Sequence, residues 1–299
     1  MIKASYEVLQ PASGHSFLVR KFGKSAFDAP YHFHEEFELT YIVKGNGKRY
    51  VGSHMQNFST GDLVLLGSNL PHCWKLESDN RDEEEVSAIV IQFSGNFLGE
   101  EFFDKPEMQN IKKLFKDSEC GISFGSNVRG PVNKSMKQLA EGKGNFKMLM
   151  NLLDMLQRLA VSTEYALLDQ QRSIAEQSRA EQERINPVFA YLVENFRGQV
   201  SLDRASDIAH MTPNAFCKYF KKITRKTFME TVIEYRLNYS TQQLVQTDKP
   251  ISQISFESGF GDVSHFYKMF KHKMHQSPLN YRKNFMREFD KVDGGKAWA

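Results

Sequence analysis

The chain has 299 residues, 40% hydrophobic and 25% charged, which is the composition of an ordinary globular protein of about two domains. It has no apolar run near the roughly 18 residues that cross a bilayer and no signal-peptide pattern, so we expect a cytoplasmic protein without membrane contact. Cys73, Cys120 and Cys217 are far apart in the sequence, which excludes a disulfide framework and a Cys-x-x-Cys site. Residues 1–184 carry 22 basic against 25 acidic side chains, and residues 185–299 carry 17 against 11. A net positive C-terminal third after a slightly acidic N-terminal part indicates an anion-binding module attached to another domain.

Short β-strands are predicted between residues 16 and 93, where apolar or alternating runs are separated by turn signals at 45–47, 60–62 and 67–71. Because no helical pattern lies between these runs, they favour an antiparallel sandwich or barrel. An acidic run at 82–85 is interpreted as a solvated hairpin tip. The predicted strands are 17–22, 38–43, 48–52, 63–66, 73–76 and 86–93.

The apolar pattern takes a helical period after about residue 100, and a continuous stripe predicts a helix over residues 146–168. A helix that packs on the barrel and a helix that joins two subunits both fit this stripe. Met148, Met150 and Met155 widen its apolar surface, so we expect a homodimer that forms through this helix. The polar residues 169–184 are interpreted as a linker, helical or flexible. The stripe consists of Phe146, Leu149, Leu152, Leu153, Leu156, Leu159 and Ala160.

Residues 205–222 and 255–272 form an internal repeat with an offset of 50 residues. In each copy a short apolar helix is followed by a tight turn and by a second helix with a basic outer face, which is helix-turn-helix architecture. Thr212 and Asp262 are the predicted N-caps of the two second helices. A long amphipathic helix over 227–246 is predicted to hold the two copies at a fixed separation.

The second helix of each copy carries lysines at matched outward positions, and we expect these helices to contact DNA. Packed helices with merely solvated lysines are the alternative, but two matched sets of lysines favour a shared role. Lys218 and Lys268 are the predicted contacts to guanine or phosphate. The predicted phosphate contacts are Thr212, Lys221, Lys222, Arg225 and Lys271. The other outward residues of this candidate DNA surface are Asn214, Ala215, Cys217, Ser264, His265 and Tyr267.

Both copies also follow a pattern of apolar, small and basic residues that is specific to one family. In the second copy the pattern is Ile254-Ser255-x3-Gly259-Phe260-x3-Ser264-x-Phe266-x3-Phe270-Lys271, then Ser277-Pro278-x2-Tyr281-Arg282. In the first copy it runs through Phe220-Lys221-Lys222, Thr227-Phe228 and Arg236. With these motifs, residues 185–287, about a third of the chain, resemble the DNA-binding domain of AraC/XylS-family bacterial transcription activators. The resemblance implies double-stranded operator DNA and RNA polymerase as partners.

The chain departs from the family pattern at three positions. Arg225 and His275 stand where the family usually has a glycine after each second helix. Since glycine serves there as a left-handed helix cap, each substitution should cost about 1 kcal/mol. Ser255 replaces the usual alanine, which is a small change.

Histidines and a glutamate in the strand region follow the spacing of a second known motif. The spacing is His32-x-His34-x3-Glu38-x6-Gly45, then Gly61, a turn at Gly67-x-Asn69, and His72. This pattern resembles the cupin barrel, the usual sensor domain of AraC-type regulators. In metal-dependent cupins the ligands stand at the positions of His32, His34, Glu38 and His72, and such a set suits a divalent transition metal. Ala26 and Gly67 depart from the motif, which has glycine and proline at these positions.

Three interpretations of these four side chains stay open. In the favoured one they belong to a pocket for a small organic effector, with Tyr41 and Trp74 as stacking surfaces, and no metal or other cofactor is expected. Aromatic rings beside a few polar groups would suit a saccharide. In the second interpretation the four side chains bind a metal, and in the third they only satisfy hydrogen bonds of the barrel.

The predicted fold class is an α+β multidomain protein with an N-terminal antiparallel, cupin-like β-barrel, a helical dimerisation segment and an all-α pair of helix-turn-helix units. The predicted domains are 1–168 for effector sensing and dimerisation, 169–184 as linker, 185–290 for DNA binding and 291–299 as tail. We expect a DNA-binding transcription regulator, not an enzyme, controlled by an effector in the barrel. The alternative is a metal-dependent cupin enzyme, an oxygenase or isomerase, fused to a DNA-binding domain.

Overall fold

The computed structural model describes residues 5–6, 15–52, 54–76, 86–142, 144–169 and 179–284. The chain divides into two compact units, Met1–Ala190 and Tyr191–Ala299. The predicted hairpin tip at 82–85, the tail at 291–299 and most of the predicted linker fall outside the described residues. Across the described ranges, no helix combines the length and the apolar character that crossing a membrane requires.

The first unit contains two sheets that form the walls of a barrel. The strands are β1 (Ser5–Tyr6), β2 (Phe17–Phe22), β3 (His32–Phe33), β4 (Phe37–Lys44), β5 (Gly47–Val51), β6 (His54–Phe58), β7 (Leu63–Leu66), β8 (His72–Leu76), β9 (Ser87–Phe93), β10 (Ile122–Phe124) and β11 (Tyr165–Leu167). One sheet has the order β1-β3-β8-β5-β6 and the other the order β11-β10-β7-β4-β9-β2. Val51 and Phe58 of the first sheet share a buried cluster with Ile42 and Val64 of the second, so the sheets pack face to face. The predicted antiparallel barrel is confirmed; of the described pairs, β1 with β3 is parallel.

All six predicted strands form, and none of their ends differs by more than one residue from the prediction. The sequence did not predict β1, β3, β6, β10 and β11. The helix predicted over 146–168 is wrong beyond Ala160, because residues 165–167 are β11. There Tyr165 lies opposite Phe124 of β10. This pairing joins distant parts of the chain, which a local apolar period does not reveal.

Three helices cover the outer face of the six-stranded sheet. They are α1 (Gln109–Asp117), α2 (Ser126–Glu141) and α3 (Asn145–Ala160). Leu39 and Ile91 from the sheet form one buried cluster with Leu152 and Leu156 from α3. Replacing a buried leucine of this kind by alanine costs roughly 2–5 kcal/mol, so this cluster is a main source of stability for the unit.

Most side chains of the apolar stripe that predicted dimerisation are buried or partly buried inside the subunit. Leu152, Met155 and Leu156 have an exposure of 0%, so these side chains hold α3 onto the sheet and are closed to a partner. Phe146 and Met150, in the first two turns of α3, are 76% and 49% exposed. Packing on the barrel therefore accounts for most of the stripe, and only the start of α3 keeps a free apolar surface.

The second unit is helical throughout its regular elements, as predicted. It contains the end of α4 (Arg179–Asn195), then α5 (Leu202–Ile208), α6 (Pro213–Thr224), α7 (Phe228–Gln246), α8 (Ile251–Glu257), α9 (Val263–Met274) and a helical segment at 278–284. Thr212 and Asp262 are confirmed as N-caps, since their side chains accept hydrogen bonds from backbone N–H groups of the first turn. Thr227 and Glu230 form a capping box at the start of α7.

The two helix-turn-helix copies have matched cores and matched ends. α6 and α9 each span 12 residues with the predicted offset of 50. Arg225 and His275 end them with φ values of 60° and 57°, so non-glycine residues do take the left-handed cap conformation here. The matched, fully buried aromatic residues are Phe216, Phe220, Phe266 and Phe270.

Two arginines of the family pattern bind backbone carbonyls. Arg236 of α7 donates from Nε to the carbonyl oxygen of Phe196 at 2.7 Å and from Nη2 to that of Gly198 at 2.9 Å. Gly259 lies against the carbonyl of Phe196 as well, with a φ of 91°. Arg282 makes an equivalent pair of bonds to carbonyls in the last turn of α7 and in the loop after it. Charge-assisted bonds of this kind fix where each helix-turn-helix copy begins.

Candidate functional site

The outer faces of α6 and α9 form an exposed, basic surface. Neither helix contains an aspartate or a glutamate, and Lys218 and Lys268 stand at matched positions. Such a surface is suited to the DNA phosphate backbone, whose charge dominates protein–DNA affinity. The predicted DNA-contacting residues are all exposed: Thr212, Asn214, Ala215, Cys217, Lys218, Lys221, Lys222, Arg225, Ser264, His265, Tyr267, Lys268 and Lys271.

The two helices of this surface differ at their N-termini. Oγ1 of Thr212 accepts a hydrogen bond from the N–H of Ala215 at 3.4 Å, and its own hydroxyl hydrogen can still be donated to a phosphate. The carboxylate of Asp262 accepts from the N–H groups of Ser264 and His265, at 3.2 and 2.8 Å. A negative charge therefore stands at the start of α9, so the start of α6 is the better place for a phosphate.

A cavity of about 310 Å³ lies inside the barrel of the first unit. Its polar groups are joined by hydrogen bonds: Gln92 accepts from Nη2 of Arg20 at 2.5 Å and donates to Oε2 of Glu38 at 2.8 Å. Oγ1 of Thr40 donates to Oε1 of the same carboxylate at 2.7 Å. The apolar lining includes Phe22, Phe27, Ile42, Trp74, Ala88 and Val90, and the polar lining is Arg20, His32, Glu38, Thr40 and Gln92.

Three histidines meet beside Glu38 at this cavity. One ring nitrogen of each of His32, His34 and His72 lies within 4.8 Å of the others. In every ring Nδ1 faces a backbone carbonyl oxygen, at distances between 2.7 and 3.0 Å. The carboxylate Oε2 is 3.1 Å from Nε2 of His34 and 3.6 Å from Nε2 of His72. Metal-binding histidines commonly donate their other N–H to such a carbonyl, which leaves Nε2 for the metal.

The residues of this cluster fit a transition metal ion, because three imidazoles and a carboxylate are a common ligand set. Within the described residues, the buried Nε2 of His72 has no hydrogen-bond partner. The cluster is also a hydrogen-bonded network by itself, since His34 and Gln92 both contact Oε2 of Glu38. The geometry is therefore compatible with a metal ion and with a metal-free polar end of the cavity.

Residues 205–284, which include both copies of the repeat, match a helix-turn-helix domain family, and residues 19–91 match a cupin domain family. The HTH-type transcriptional regulator YdeC of Bacillus subtilis is similar over 261 residues at 24% identity, which covers 85% of this chain and 86% of that protein. The chain is a DNA-binding, AraC-type transcription regulator with a cupin domain. Its cupin match extends from β2 into β9 and includes the histidine cluster and all the cavity-lining residues except Gln92.

Other known proteins are similar to this regulator at lower identity. The HTH-type transcriptional regulator SAS0078 of Staphylococcus aureus is 21% identical over 254 residues, and the chain spans 31% of its length. Among solved structures, ToxT of Vibrio cholerae is similar at 15% identity over 89% of this chain and 97% of that one, with a TM-score of 0.34.

The regulator brings five of the six predicted effector-binding residues together. His32, Glu38 and Trp74 line the cavity, and His34 and His72 contact Glu38 beside it. Tyr41 does not belong to this group, and its prediction as a stacking surface is wrong. Side chains alternate along a strand, so Tyr41 points to the opposite face of β4 from Glu38 and joins the cluster under the helices.

Burial and neighbouring charges set the protonation at the polar end of the cavity. Burial, helped by His72, lowers the pKa of His32 to about 3. Burial alone would raise the pKa of Glu38, but the charge of His72 and the hydrogen bond from His34 outweigh it and hold this pKa well below its ordinary value. At neutral pH the regulator therefore presents an ionised carboxylate beside a neutral imidazole.

Sequence reasoning missed Arg20, Gln92 and Phe27, which also line the cavity. Arg20 and Gln92 lie 72 residues apart and meet because β2 pairs with β9. The only local signal was a pair of long charged residues, Arg20 and Lys21, inside an otherwise apolar strand. Such residues are usually exposed, so this signal alone does not indicate a pocket.

Proposed function

We propose that a small organic molecule binds in the cavity of the barrel and controls how this regulator occupies its operator. The observation that supports the proposal is the cavity of about 310 Å³, which has apolar walls and hydrogen-bonded polar groups. Its size and lining are those of a typical small-molecule site. A ligand that binds the DNA-binding arrangement of the chain more tightly than another arrangement raises the affinity for DNA, and DNA raises the affinity for the ligand by the same factor.

The lining indicates which groups such a ligand would carry. Nε1 of Trp74 is buried and has no hydrogen-bond partner within the described ranges, so a ligand acceptor near the indole would satisfy it. Arg20 and Glu38 offer a donor and an acceptor. A saccharide remains a candidate effector, since its C–H face would stack on Trp74 and its hydroxyls would reach these polar groups.

The proposal is tested on the purified regulator in two steps. Mass spectrometry of small molecules released from it identifies a candidate effector, and calorimetric titration then measures its binding to the wild type, to Trp74→Phe and to Tyr41→Phe. Trp74→Phe removes the indole N–H and should weaken binding by about tenfold. Tyr41→Phe, on the other face of β4, should leave binding unchanged. Equal affinities for all three proteins would overturn the assignment of this cavity.

For the DNA surface we propose separate roles for its basic residues. Lys218 and Lys268 contact bases, while Lys221, Lys222, Arg225, Lys271 and the hydroxyl of Thr212 contact phosphates. The exposure and matched placement of these side chains support the roles. The predicted domain 185–290 should then protect two adjacent major-groove segments about one helical turn apart, with an affinity that falls steeply with salt. A footprint on one segment, or binding that does not depend on salt, would contradict this.

A second candidate for the barrel is metal binding, and the orientation of the histidines favours it. His32, His34, His72 and Glu38 would hold the ion. A divalent metal would act there as a Lewis acid, and metal binding is the condition for the alternative function as an oxygenase or isomerase. Elemental analysis of protein prepared without added metal or an affinity tag, with melting curves in the presence and absence of chelator, decides between the candidates. Near-stoichiometric iron, zinc or manganese with a large loss of thermal stability in chelator would overturn the expectation that the barrel needs no metal.

We further propose that the regulator acts in the cytoplasm as a homodimer and contacts RNA polymerase. The exposed Phe146 and Met150 at the start of α3 support a subunit contact there. The stripe that was predicted as the interface is not available, because most of it is buried in the subunit. Sedimentation analysis at high concentration tests the dimer, and a monomer with and without DNA would refute it.

A further inference from the structure

One carboxylate in the second unit joins the two helix-turn-helix copies. Glu234 of α7 accepts a hydrogen bond through Oε1 from Nζ of Lys273, at 2.9 Å, and through Oε2 from Nζ of Lys226. Lys226 directly follows the C-cap residue of α6, and Lys273 lies in the last turn of α9. A single side chain on the connecting helix therefore binds the C-terminal ends of both DNA-contacting helices.

This bridge is more protected from water than an ordinary surface ion pair. The side chains of Glu234 and Lys226 are 18% and 20% exposed, and that of Lys273 is 48% exposed. Burial alone would raise the pKa of Glu234, but the hydrogen bonds from the two lysines outweigh it and lower this pKa below its ordinary value. An ion pair elsewhere in the unit, Lys249 with Glu257, lies within the second copy and does not connect the copies.

We propose that Glu234 is a positioning residue that fixes the two DNA-contacting helices relative to each other. It thereby sets the spacing between the two DNA segments that the regulator accepts. α6 is linked to α7 by a short turn and α9 by packing contacts, so each could rock about its contact with α7. A carboxylate that binds the C-terminal ends of both helices restricts this rocking. The proposal rests on the two-segment footprint proposed above.

The same bridge has a second consequence for DNA binding. While they are bound to Glu234, Lys226 and Lys273 are partly neutralised and attract phosphates less strongly. Removing the carboxylate charge would release two cations close to the DNA surface. Sequence-independent binding should then become stronger and more dependent on salt, while discrimination between spacings becomes weaker. A side chain that only stabilised the fold would not produce this combination.

The test uses the full chain and an operator selected by the wild type from a randomised duplex library. Affinities are measured for that operator, for versions with one base pair inserted or removed between the two protected segments, and for a random duplex. For Glu234→Gln, the preference for the selected spacing should fall by about threefold to thirtyfold. Lys226→Gln and Lys273→Gln should each produce part of this loss. Asp248→Asn removes the same charge elsewhere in the same unit, away from the bridge, and should keep the wild-type preference.

The outcomes separate this proposal from the one on which it rests. If Glu234→Gln preferred the selected spacing as strongly as the wild type does, the proposed role of Glu234 would be overturned, even if the variant melts at a lower temperature. A loss of affinity that is equal for every spacing would also overturn it, because it would indicate a purely structural residue. If the wild-type protein itself protected a single DNA segment, the proposed two-segment footprint and this inference would both be overturned.

Discussion

Replacing Gly259 by alanine should destabilise the second helix-turn-helix copy by about 2.5–5 kcal/mol. The residue has a φ of 91°, and an alanine held in a left-handed conformation costs roughly 1–2 kcal/mol. Its Cβ would lie 2.7 Å from the carbonyl oxygen of Phe196 and 2.9 Å from that of Arg197, two backbone atoms that cannot swing aside. Displacing the Phe196 carbonyl would weaken its charge-assisted bond from Arg236, which contributes roughly 1.5–3 kcal/mol.

Gly261 provides a matched control two residues further along the same turn. A Cβ added there meets nothing within 4 Å, so Gly261→Ala should change the stability by less than about 0.5 kcal/mol. Scanning calorimetry of the full chain is the assay. The loss expected for Gly259→Ala lowers the melting temperature of a unit of about 100 residues by at least about 10 °C. Equal melting temperatures for the two variants would refute this account of the turn.

Three further predictions concern the DNA surface, the start of α3 and acid stability. Lys218→Ala should cost about 1–3 kcal/mol on the operator and relax the preference for one base, whereas Lys222→Ala should weaken all sequences alike; identical profiles in a binding-site selection would contradict these roles. Phe146→Glu should give a folded monomer in sedimentation, while Leu156→Glu, at a position with 0% exposure, should unfold the first unit, as circular dichroism would show. Folding lowers the pKa of Glu234, so its carboxylate stabilises the folded protein at pH values above its ordinary pKa of 4.5. This stabilisation is lost as the pH falls through the pKa that Glu234 has in the folded state. The difference in melting temperature between wild type and Glu234→Gln should therefore disappear in acid, and a difference that is independent of pH would argue against the ion pairs.

The helix-turn-helix copies could be predicted from the sequence because their signals are local. A cap such as Thr212 acts on N–H groups only three residues away, and the buried aromatic residues of α6 and α9 recur at helical spacing. The repeat then supplied a second, independent copy of each signal. Even the unusual caps at Arg225 and His275 were identified, since the family pattern marks the position that requires a positive φ.

The barrel was predicted as a set of strands, but its site was predicted only in part. The cupin spacing located His32 and Glu38, whereas Arg20 reaches them only through the pairing of β2 with β9. Tyr41 was assigned to the cavity for its aromatic ring, but the residue type does not show which face of the strand the side chain lies on, and this assignment was wrong. The end of α3 was missed for a similar reason, because residues 165–167 become a strand only by pairing with β10.

The two faces of strand β4 have different roles, so substitutions at alternate residues of this strand have different consequences. Thr40 and Ile42 face the cavity, while Leu39 and Tyr41 contact the buried cluster under the helices. Substitutions at the even positions can change the shape and polarity of the cavity without altering the helix packing. Substitutions at the odd positions change the helix packing and leave the cavity lining intact. A regulator built in this way can acquire a new ligand preference by single changes at alternate residues, while the packing of the helices on the sheet stays intact at each step.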